Sequence, residues 1–355
     1  IGSLASAGCV RMYNKDVEEL YTQVPANTPV SIVYDRVSVV ADDYINKKAV
    51  VIYPDCYNQD NKYRNTYIGK IDNADLPQLV KDKAKKLLTS KISKPVAVSE
   101  GMGVFLNNCF ITCDAFLENG DIYINCFAAK DFLGLSAELA GLYSIDVKEV
   151  EDRIYVDFTQ VMECYGGKLS YDKKTSNVYA NVSIVKVNGV FIGKNYGDFD
   201  KESLIDVKSF EKLGYKHDED SIDIGLFDKH IMKVLRKSQS CVSTDNIELA
   251  LGGWEQRDSL RKTVDICVPP CIKVGDEYYT THYVDNRPVL DAETASVVRE
   301  RTGIAFEAFD NGSIQDDKVI DLEAFLTGLK YTSNEFYTVI ELSKQENEVG
   351  IELIP

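Results

Sequence analysis

A pattern of apolar and polar positions recurs along the chain from about residue 100 onward. A short β-branched run ends in Asp or Asn, an apolar-periodic helical segment follows, a glycine ends it, and two strands joined by a polar turn come next. Three clear copies span residues 154–182, 204–226 and 319–342, and two looser copies span 122–135 and 289–309. Because each unit is too small to bury its own apolar face, we expect neighbouring units to pack together.

Three positions of the pattern have a physical role in each copy. A polar side chain stands where a helix N-cap is needed: Asn125, Asp157, Asp206, Asp291 and Asp321. One apolar helix residue is predicted to face inward: Val161, Phe210, Val297 and Phe325. A glycine stands at the predicted helix end, where a left-handed residue is common: Gly166, Gly214, Gly303 and Gly328.

The first hundred residues follow other patterns. Apolar residues at helical spacing after Met12 predict a helix that Pro25 ends, with one apolar face: Val17, Leu20, Tyr21 and Val24. Residues 29–34, 37–40 and 49–53 are rich in β-branched side chains and predict strands. The segment 55–75 is polar, and we expect a loop there.

Residues 75–93 predict one basic amphipathic helix. Its apolar residues share a face, and five lysines lie around the rest: the apolar set is Leu79, Val80, Ala84, Leu87 and Leu88. A basic helix of this kind can lie on a membrane surface or serve as a spacer that packs on a neighbouring domain. We favour the packed spacer.

Length and charge limit the classes of protein. With 355 residues, of which 45% are apolar, the chain is expected to form two to four globular domains. The 56 acidic and 40 basic residues give a formal charge of -16, which argues against nucleic-acid binding. No apolar run in the sequence reaches the length of a membrane span, so we expect no transmembrane segment.

The nine cysteines and three histidines leave two interpretations open. An odd number of cysteines fits one reactive thiol with up to four disulfides in an exported protein, or nine buried thiols in a reducing compartment. Two C-x-x-x-C pairs, Cys109/Cys113 and Cys267/Cys271, lack nearby histidines. We therefore expect no metal site and no cofactor, and we interpret His217, His230 and His282 as solvated or structural.

The stretch with the clearest chemistry is residues 6–12, SAGCVRM. Gly8 allows the backbone to approach a ligand closely, and the amides around Gly8 and Cys9 could stabilise an oxyanion. Arg11 could lower the pKa of the Cys9 thiol or hold a substrate carboxylate. An isolated sequence of this kind is more often a buried cysteine beside a turn.

Residues 3–34 resemble the C-terminal part of the YkuD-type L,D-transpeptidase catalytic domain. The family signature [S/T]-H-G-C-[I/V/L]-[R/N] is matched at Ser6, Gly8, Cys9, Val10 and Arg11. The following helix and strand are matched at Asn14, Asp16, Leu20, Tyr21, Thr28, Pro29, Val30 and Ile32. Ala7 replaces the signature histidine, and the family's catalytic histidine normally precedes the cysteine, so we expect it to lie before Ile1.

The resemblance implies acyl transfer on peptidoglycan stem peptides. Cys9 would be the nucleophile, Gly8 and its neighbouring amides would form the oxyanion hole, and Ser6 would hold the active-site loop. Arg11 would orient a substrate carboxylate. The chain alone is then expected to have an incomplete active site, which its own N-terminal fragment could complete.

Residues 100–350 resemble the stalk-like repeats named after the N-terminal domain of copper amine oxidases. The predicted fold class is α+β: the C-terminal part of a mainly-β transpeptidase domain followed by tandem strand–helix–hairpin repeats. The predicted domains are the transpeptidase part, a helical linker and three repeat domains: 1–72, 73–99, 100–185, 186–264 and 265–355. The histidines are isolated, so the resemblance implies no copper site here.

Three functions remain open at this stage. The first is a cell-envelope L,D-transpeptidase, extracytoplasmic and either secreted or wall-associated. The second is a non-catalytic wall-binding or adhesive protein with a vestigial transpeptidase segment, and the third is a cysteine hydrolase that trims stem peptides. The sequence does not separate the first from the third, because they differ only in whether an amine or water resolves the thioester.

Overall fold

The chain is a mixed α/β protein whose strands form several small sheets. A computed structural model describes these residues: 20–25, 28–29, 35–58, 60–199, 202–212, 215–223, 230–236, 239–284, 287–302, 319–326, 331–333 and 339–342. Four clusters of buried apolar side chains divide most of them into an N-terminal unit and three larger units. The domain boundaries given above stay predictions.

The N-terminal unit is one small sheet covered by two helices. Its elements are β1 (Val37–Asp42), β2 (Lys47–Ile52), α1 (Asp60–Asn73), α2 (Gln78–Leu88) and β3 (Val96–Val98). The strands are antiparallel in the order β1-β2-β3. The predicted strands at 37–40 and 49–53 are thus confirmed within a few residues, whereas 30–34 lie outside the described residues.

Helix α1 occupies the segment for which we expected a loop, so that prediction was wrong. The segment is polar overall, but Tyr67 and Ile71, four residues apart, are buried in the sheet's apolar cluster. Arg36, which is 2% exposed, donates to the Tyr53 carbonyl at 2.7 Å and pairs with Asp60 in the first helical turn. A stripe of two buried residues and an N-terminal ion pair therefore hold a helix that composition alone does not indicate.

Helix α2 packs its apolar face into the same cluster. Val80, Ala84 and Leu88 are buried at helical spacing, and Leu87 is partly buried. Leu79 is 66% exposed, so its predicted place on the buried face was wrong. The predicted basic helix is therefore packed against the sheet, with shorter bounds than 75–93, and its role as a spacer between domains stays a prediction.

Unit 1 (residues 103–181) contains two four-stranded sheets. Its strands are β4 (Gly103–Leu106), β5 (Cys109–Thr112), β6 (Ala115–Glu118), β7 (Asp121–Asn125), β8 (Val147–Val150), β9 (Arg153–Asp157), β10 (Lys168–Asp172) and β11 (Asn177–Asn181). Its helices are α3 (Cys126–Leu133), α4 (Ala137–Leu142) and α5 (Phe158–Cys164). The sheet orders are β10-β11-β4-β5 and β6-β7-β9-β8.

Unit 2 (residues 184–267) contains three described sheets. Its strands are β12 (Ile184–Val187), β13 (Val190–Lys194), β14 (Leu204–Asp206), β15 (Lys216–His217), β16 (Ser221–Asp223), β17 (His230–Met232), β18 (Val234–Arg236), β19 (Gln239–Ser243), β20 (Trp254–Asp258) and β21 (Thr263–Cys267). Its helices are α6 (Val207–Lys212) and α7 (Thr244–Leu251). The sheet orders are β20-β21-β12-β13, β14-β19-β18 and β15-β16-β17.

Unit 3 (residues 271–342) has two described sheets. Its strands are β22 (Cys271–Val274), β23 (Glu277–Thr280), β24 (His282–Val284), β25 (Arg287–Asp291), β26 (Val319–Asp321), β27 (Tyr331–Ser333) and β28 (Val339–Leu342). Its helices are α8 (Ala292–Thr302) and α9 (Leu322–Leu326). The sheet orders are β27-β28-β22-β23 and β24-β25-β26.

The principal sheet has the same order in all three units. The first hairpin of each unit lies beside its last hairpin, and the first and last strands pair in parallel: β4 with β11, β12 with β21, and β22 with β28. The remaining pairs within these sheets are antiparallel. The beginning and the end of each unit are therefore joined at the centre of one sheet.

The strand–helix pattern occurs twice in each unit, and one copy escaped the sequence analysis. The predicted copies correspond to β7–α3, β9–α5, β14–α6, β25–α8 and β26–α9. The sixth is β19–α7, in which Ser243 caps the helix and Gly252 ends it with φ 77°. Ser243 in place of Asp or Asn concealed it, although serine is an equally good N-cap.

The side-chain roles predicted for the pattern hold at most described positions. The Asn125, Asp157, Asp206 and Asp291 side chains accept hydrogen bonds from helix N–H groups. Val161, Phe210 and Phe325 are buried, but Val297 is only half-buried, and Val298 takes the inward position. Gly166 is left-handed with φ 61°. The Asp321 side chain and three of the glycines, Gly214, Gly303 and Gly328, lie outside the described residues.

A turn asparagine fastens the exit of units 1 and 2. The Asn107 side chain accepts from the Val182 N–H at 3.1 Å and donates to the Val182 carbonyl at 2.7 Å. Asn188 makes the same pair of bonds to Val268, at 2.8 and 3.1 Å. In unit 3 the corresponding turn has Gly275, with φ 63°.

The disulfide interpretation of the cysteines was wrong in its full form. Cys56, Cys109, Cys113, Cys126 and Cys241 are free thiols. Five free thiols among nine cysteines exclude four disulfides. The described thiols other than Cys56 are buried or half-buried, as packing residues are.

Candidate functional site

The predicted catalytic residues lie outside the part of the chain that the structure describes. This applies to Ser6, Gly8, Cys9 and Arg11, and to Ala7 beside them. The roles of these four residues in acyl transfer therefore stay predictions.

The end of the helix predicted after them is described. Residues 20–23 are helical, the Val24 N–H donates to the Leu20 carbonyl at 3.0 Å, and the helix ends before Pro25 as expected. Leu20, Tyr21 and Val24 are 42%, 85% and 40% exposed. The predicted apolar face is thus present but uncovered over this last turn.

Two of the histidines can be judged from their side chains. His217 Nε2 lies 2.7 Å from Glu211 Oε1, and its Nδ1 lies 2.9 Å from Lys233 Nζ. His282 is exposed on β24, while the His230 side chain lies outside the described residues. Both ring nitrogens of His217 are engaged in a surface network, which agrees with the structural role predicted for it.

Four of the described cysteines, Cys109, Cys113, Cys126 and Cys241, are poorly suited to nucleophilic attack. Burial, with the nearby Asp42 carboxylate, raises the pKa of Cys113 to about 12. Burial is also the main cause that raises the pKa values of Cys109, Cys126 and Cys241. Since the thiolate is the reactive form, these four residues are inert packing thiols at neutral pH.

No group of three or more His, Cys, Asp or Glu side chains within the described ranges could hold a metal ion. Among the described helices none is long and apolar enough to cross a membrane.

A cavity lies between the α3–α4 segment of unit 1 and the β12–β13 turn of unit 2, with Ser333 of unit 3 also in its lining. It encloses about 580 Å³, within the range of small-molecule sites. Its charged lining residues come from both units: Lys130, Asp131, Glu138, Lys186 and Asp265. Leu139, Leu142 and Val190 supply apolar wall.

Lys186 and Asp265 form the inner part of this cavity, and the sequence analysis missed both. They are neighbours on the parallel strands β12 and β21. Lys186 is 9% exposed, and its Nζ lies 3.8 Å from Asp265 Oδ2. The available signal was a lysine between Val185 and Val187, inside a strand whose other residues are apolar.

The rim of the cavity carries two acidic side chains, Glu138 and Asp131. The Glu138 backbone N–H, and then the Ser136 hydroxyl, hold the pKa of the Glu138 carboxyl below its usual range. Asp131 Oδ2 accepts a hydrogen bond of 2.7 Å from the Tyr44 hydroxyl of the β1–β2 hairpin. That bond fixes one oxygen of Asp131 and connects the N-terminal unit to the cavity rim.

Comparison with known proteins gives one match. No curated protein and no solved structure matches the chain. Residues 1–32, which include all four predicted catalytic residues, match the family model of the YkuD-type L,D-transpeptidase catalytic domain.

Proposed function

We propose that the chain belongs to a cell-envelope L,D-transpeptidase in which Cys9 is the nucleophile. The observation that carries the proposal is the family match over residues 1–32, because it contains the SAGCVR stretch. The raised pKa values of the described packing thiols support it from another direction, since they leave those thiols protonated at neutral pH.

The proposed reaction has two acyl-transfer steps. The Cys9 thiolate attacks the carbonyl that follows the L-centre of a peptidoglycan tetrapeptide stem, a C–S bond forms, and the amide C–N bond breaks. The terminal D-residue leaves as an amine that takes up a proton. The amine of a second stem then attacks the thioester, the new C–N bond forms, and the thiolate leaves Cys9.

The neighbouring residues have supporting roles in this proposal. The amides near Gly8 and Cys9 stabilise the oxyanion, and Arg11 orients a substrate carboxylate. Ser6 holds the loop. The general base is a histidine that precedes Cys9 in the full-length protein, a proposal supported by the engagement of His217 with Glu211 and Lys233.

The exposed end of the first helix supports a larger catalytic domain. Leu20, Tyr21 and Val24 form an uncovered apolar strip inside the matched segment, on the C-terminal side of the predicted catalytic residues. In a complete domain a strip of this kind is covered by protein. We propose that the preceding part of the transpeptidase domain covers it.

Units 1 to 3 are proposed to act as wall-associated spacers outside the cytoplasm. Their shared sheet order supports a tandem array, and we propose the copper amine oxidase-like stalk repeats as its family. The same observation favours a second candidate, a non-catalytic wall-binding protein in which these units act alone. A stem-trimming hydrolase would use the same Cys9 chemistry, with water in place of the second amine.

Intact-protein mass spectrometry after carbapenem treatment tests the proposal on the full-length protein. A transpeptidase is expected to form one covalent adduct, localised to Cys9 by peptide mapping and absent from Cys9→Ala. Cys56→Ala is the matched control, because Cys56 is an exposed free thiol and its loss should leave the adduct intact. Absence of an adduct, or an adduct that persists in Cys9→Ala, would favour the wall-binding candidate.

A further inference from the structure

We propose that the cavity between units 1 and 2 binds a small zwitterion, namely an amino acid or a short peptide. In this proposal Lys186 holds the ligand carboxylate, and the acidic rim residues Asp131 and Glu138 hold its ammonium group. None of the residues that line the cavity belongs to the segment proposed for acyl transfer, and the proposal does not depend on that function.

The first observation is the state of the Lys186 ammonium. Nine-tenths of this residue is buried, yet within the described chain its Nζ has one ion pair, at 3.8 Å, and no hydrogen bond. Among the described residues, Lys186 Nζ is not one of the buried polar atoms that lack a partner, so the ammonium group faces the open space of the cavity. A carboxylate in the cavity would supply acceptors to the three N–H donors of this group.

The second observation is that Asp265 is held in a position where it balances the charge but leaves those donors available. Its Oδ1 accepts a hydrogen bond of 3.0 Å from the Gly189 N–H. Its Oδ2 is the oxygen that lies 3.8 Å from Lys186 Nζ, beyond hydrogen-bond range. The N–H donors of Lys186 are therefore available to a ligand carboxylate, while Asp265 balances the charge.

The third observation is a close backbone approach that forms the cavity wall. Gly134 ends α3 with φ 68°, and a Cβ there would lie 2.5 Å from both the Gly189 oxygen and the Phe191 nitrogen. The Phe191 N–H donates to the Gly134 carbonyl at 2.9 Å. Only glycine permits this contact, which brings the end of α3 against the Lys186 side chain.

The charge balance selects the class of ligand. The lining has two ammonium groups, on Lys130 and Lys186, and three carboxylates, on Asp131, Glu138 and Asp265. A dianion such as phosphate would be repelled by this excess of negative charge. A zwitterion can place its carboxylate at Lys186 and its ammonium group at the acidic rim residues. The volume of about 580 Å³ accommodates an amino acid or a short peptide.

Isothermal titration with glycylglycine tests the proposal on the full chain. We expect saturable binding that weakens at least tenfold for N-acetylglycylglycine, which lacks the ammonium, and for glycylglycinamide, which lacks the carboxylate. Lys186→Met should also weaken glycylglycine binding at least tenfold. Lys168→Met is the matched control, because Lys168 is an exposed strand lysine outside the cavity. The affinity of this variant for glycylglycine should be unchanged.

A second variant separates loss of binding from loss of folding. Lys186→Met leaves Asp265 without its counter-charge, so Lys186→Met/Asp265→Asn removes both charges while keeping an unbranched side chain at 186 and the shape of the side chain at 265. Lost binding in this double variant, with an unchanged circular dichroism spectrum, supports the proposal. Unchanged binding in the single or double variant, equal binding of either neutralised probe, or no binding of glycylglycine at millimolar concentration would overturn it.

Discussion

Units 1 and 2 share a sheet order but differ at the centre of that sheet. At the parallel strand pair of unit 1, Phe105 faces Tyr179, and their rings stack at 5.3 Å. At the corresponding pair of unit 2, Lys186 faces Asp265. The same backbone position therefore holds an aromatic pair in one unit and a buried ion pair in the other.

The difference follows from what covers each sheet. In unit 1 the Phe105 and Tyr179 rings pack against Val51 and Ala97 of the N-terminal unit. The buried Asn177 side chain also donates to and accepts from the Ala97 backbone, at 3.0 and 2.9 Å. The interface is closed and largely apolar, so an aromatic pair is the favourable choice.

The sheet of unit 2 is covered by the end of α3, and the contact leaves a cavity. An ion pair is tolerated there because the cavity admits water or a ligand. In unit 3 the corresponding Lys273–Glu341 pair, at 3.1 Å, is more exposed, with side-chain exposures of 26% and 51% against 11% and 24% for Lys186 and Asp265. The shared backbone thus sets the position, and the covering surface determines which side chains suit it.

The largest effect is expected for Phe105→Ala, which removes the aromatic pair at the centre of the unit 1 sheet. Removal of a fully buried aromatic side chain should cost about 3–5 kcal/mol of unfolding free energy, because the cavity left behind cannot fully collapse. Hydrogen exchange of strands β4 and β11 measures the loss locally. Phe127→Ala is the control, since Phe127 is 66% exposed, and an equal effect there would show that the stack is not what stabilises the interface.

The next comparison concerns the turn asparagines. Asn107→Ala and Asn188→Ala each leave a backbone N–H and carbonyl without their partner, which should cost about 1–3 kcal/mol. Exchange of the Val182 amide should accelerate in the first variant, and exchange of the Val268 amide in the second. Each amide is the control for the other variant, and Asn181→Ala, at an exposed strand end, should change neither. If either variant accelerated hydrogen exchange of both amides, the two asparagines would not act independently, and the prediction would be wrong.

A third prediction concerns Asp157, the N-cap of α5 in unit 1. Asp157 is fully buried, its Oδ2 has no hydrogen bond, and burial is the main cause that raises its pKa. A carboxyl with a raised pKa contributes stability below its unfolded pKa and loses it as the pH rises through the folded pKa. Asp157→Asn, which keeps the cap, should therefore stabilise the protein by about 1 kcal/mol at neutral pH.

The advantage of Asp157→Asn should disappear in acid. Below about pH 4 both states of the wild-type carboxyl are protonated, so the two proteins should converge in thermal stability. Thermal unfolding of both proteins between pH 4 and 7 measures the difference in stability between them. The other carboxyl groups titrate alike in both proteins, so they do not contribute to this difference. If the difference in thermal stability between Asp157→Asn and the wild type increased as the pH fell, the result would contradict the claim that burial raises the pKa of Asp157.

The helices were predictable from the sequence where the same residue type recurs at the same structural position. The caps at Asn125, Asp157, Asp206 and Asp291 were found because Asp and Asn recur before an apolar-periodic run. The copy at Ser243 was missed because its cap has a different residue, and α1 was missed because its apolar stripe is short. In the case of α1, tertiary packing outweighs composition.

The sheet order and the cavity could not be predicted in the same way. The parallel pairs join strands far apart in the sequence, such as Gly103–Leu106 with Asn177–Asn181, and no local periodicity encodes that pairing. Lys186 and Asp265 become neighbours only through such a pair. The Cys9 site, by contrast, was indicated by a short motif, whose assignment depends on residue types in order and not on packing.

The smallest expected effect is that of Lys273→Met in unit 3. The hydrogen bond with Glu341 raises the pKa of Lys273, but this pair is more exposed than Lys186–Asp265, so solvent screens its attraction more strongly and ordering the pair costs entropy. We expect no measurable change in exchange of strands β22 and β28. Lys186→Met, at the matching position of unit 2, should accelerate exchange of β12 and β21, because Asp265 then loses its buried counter-charge. Equal responses of the two variants would mean that the covering surface does not determine what this strand position requires.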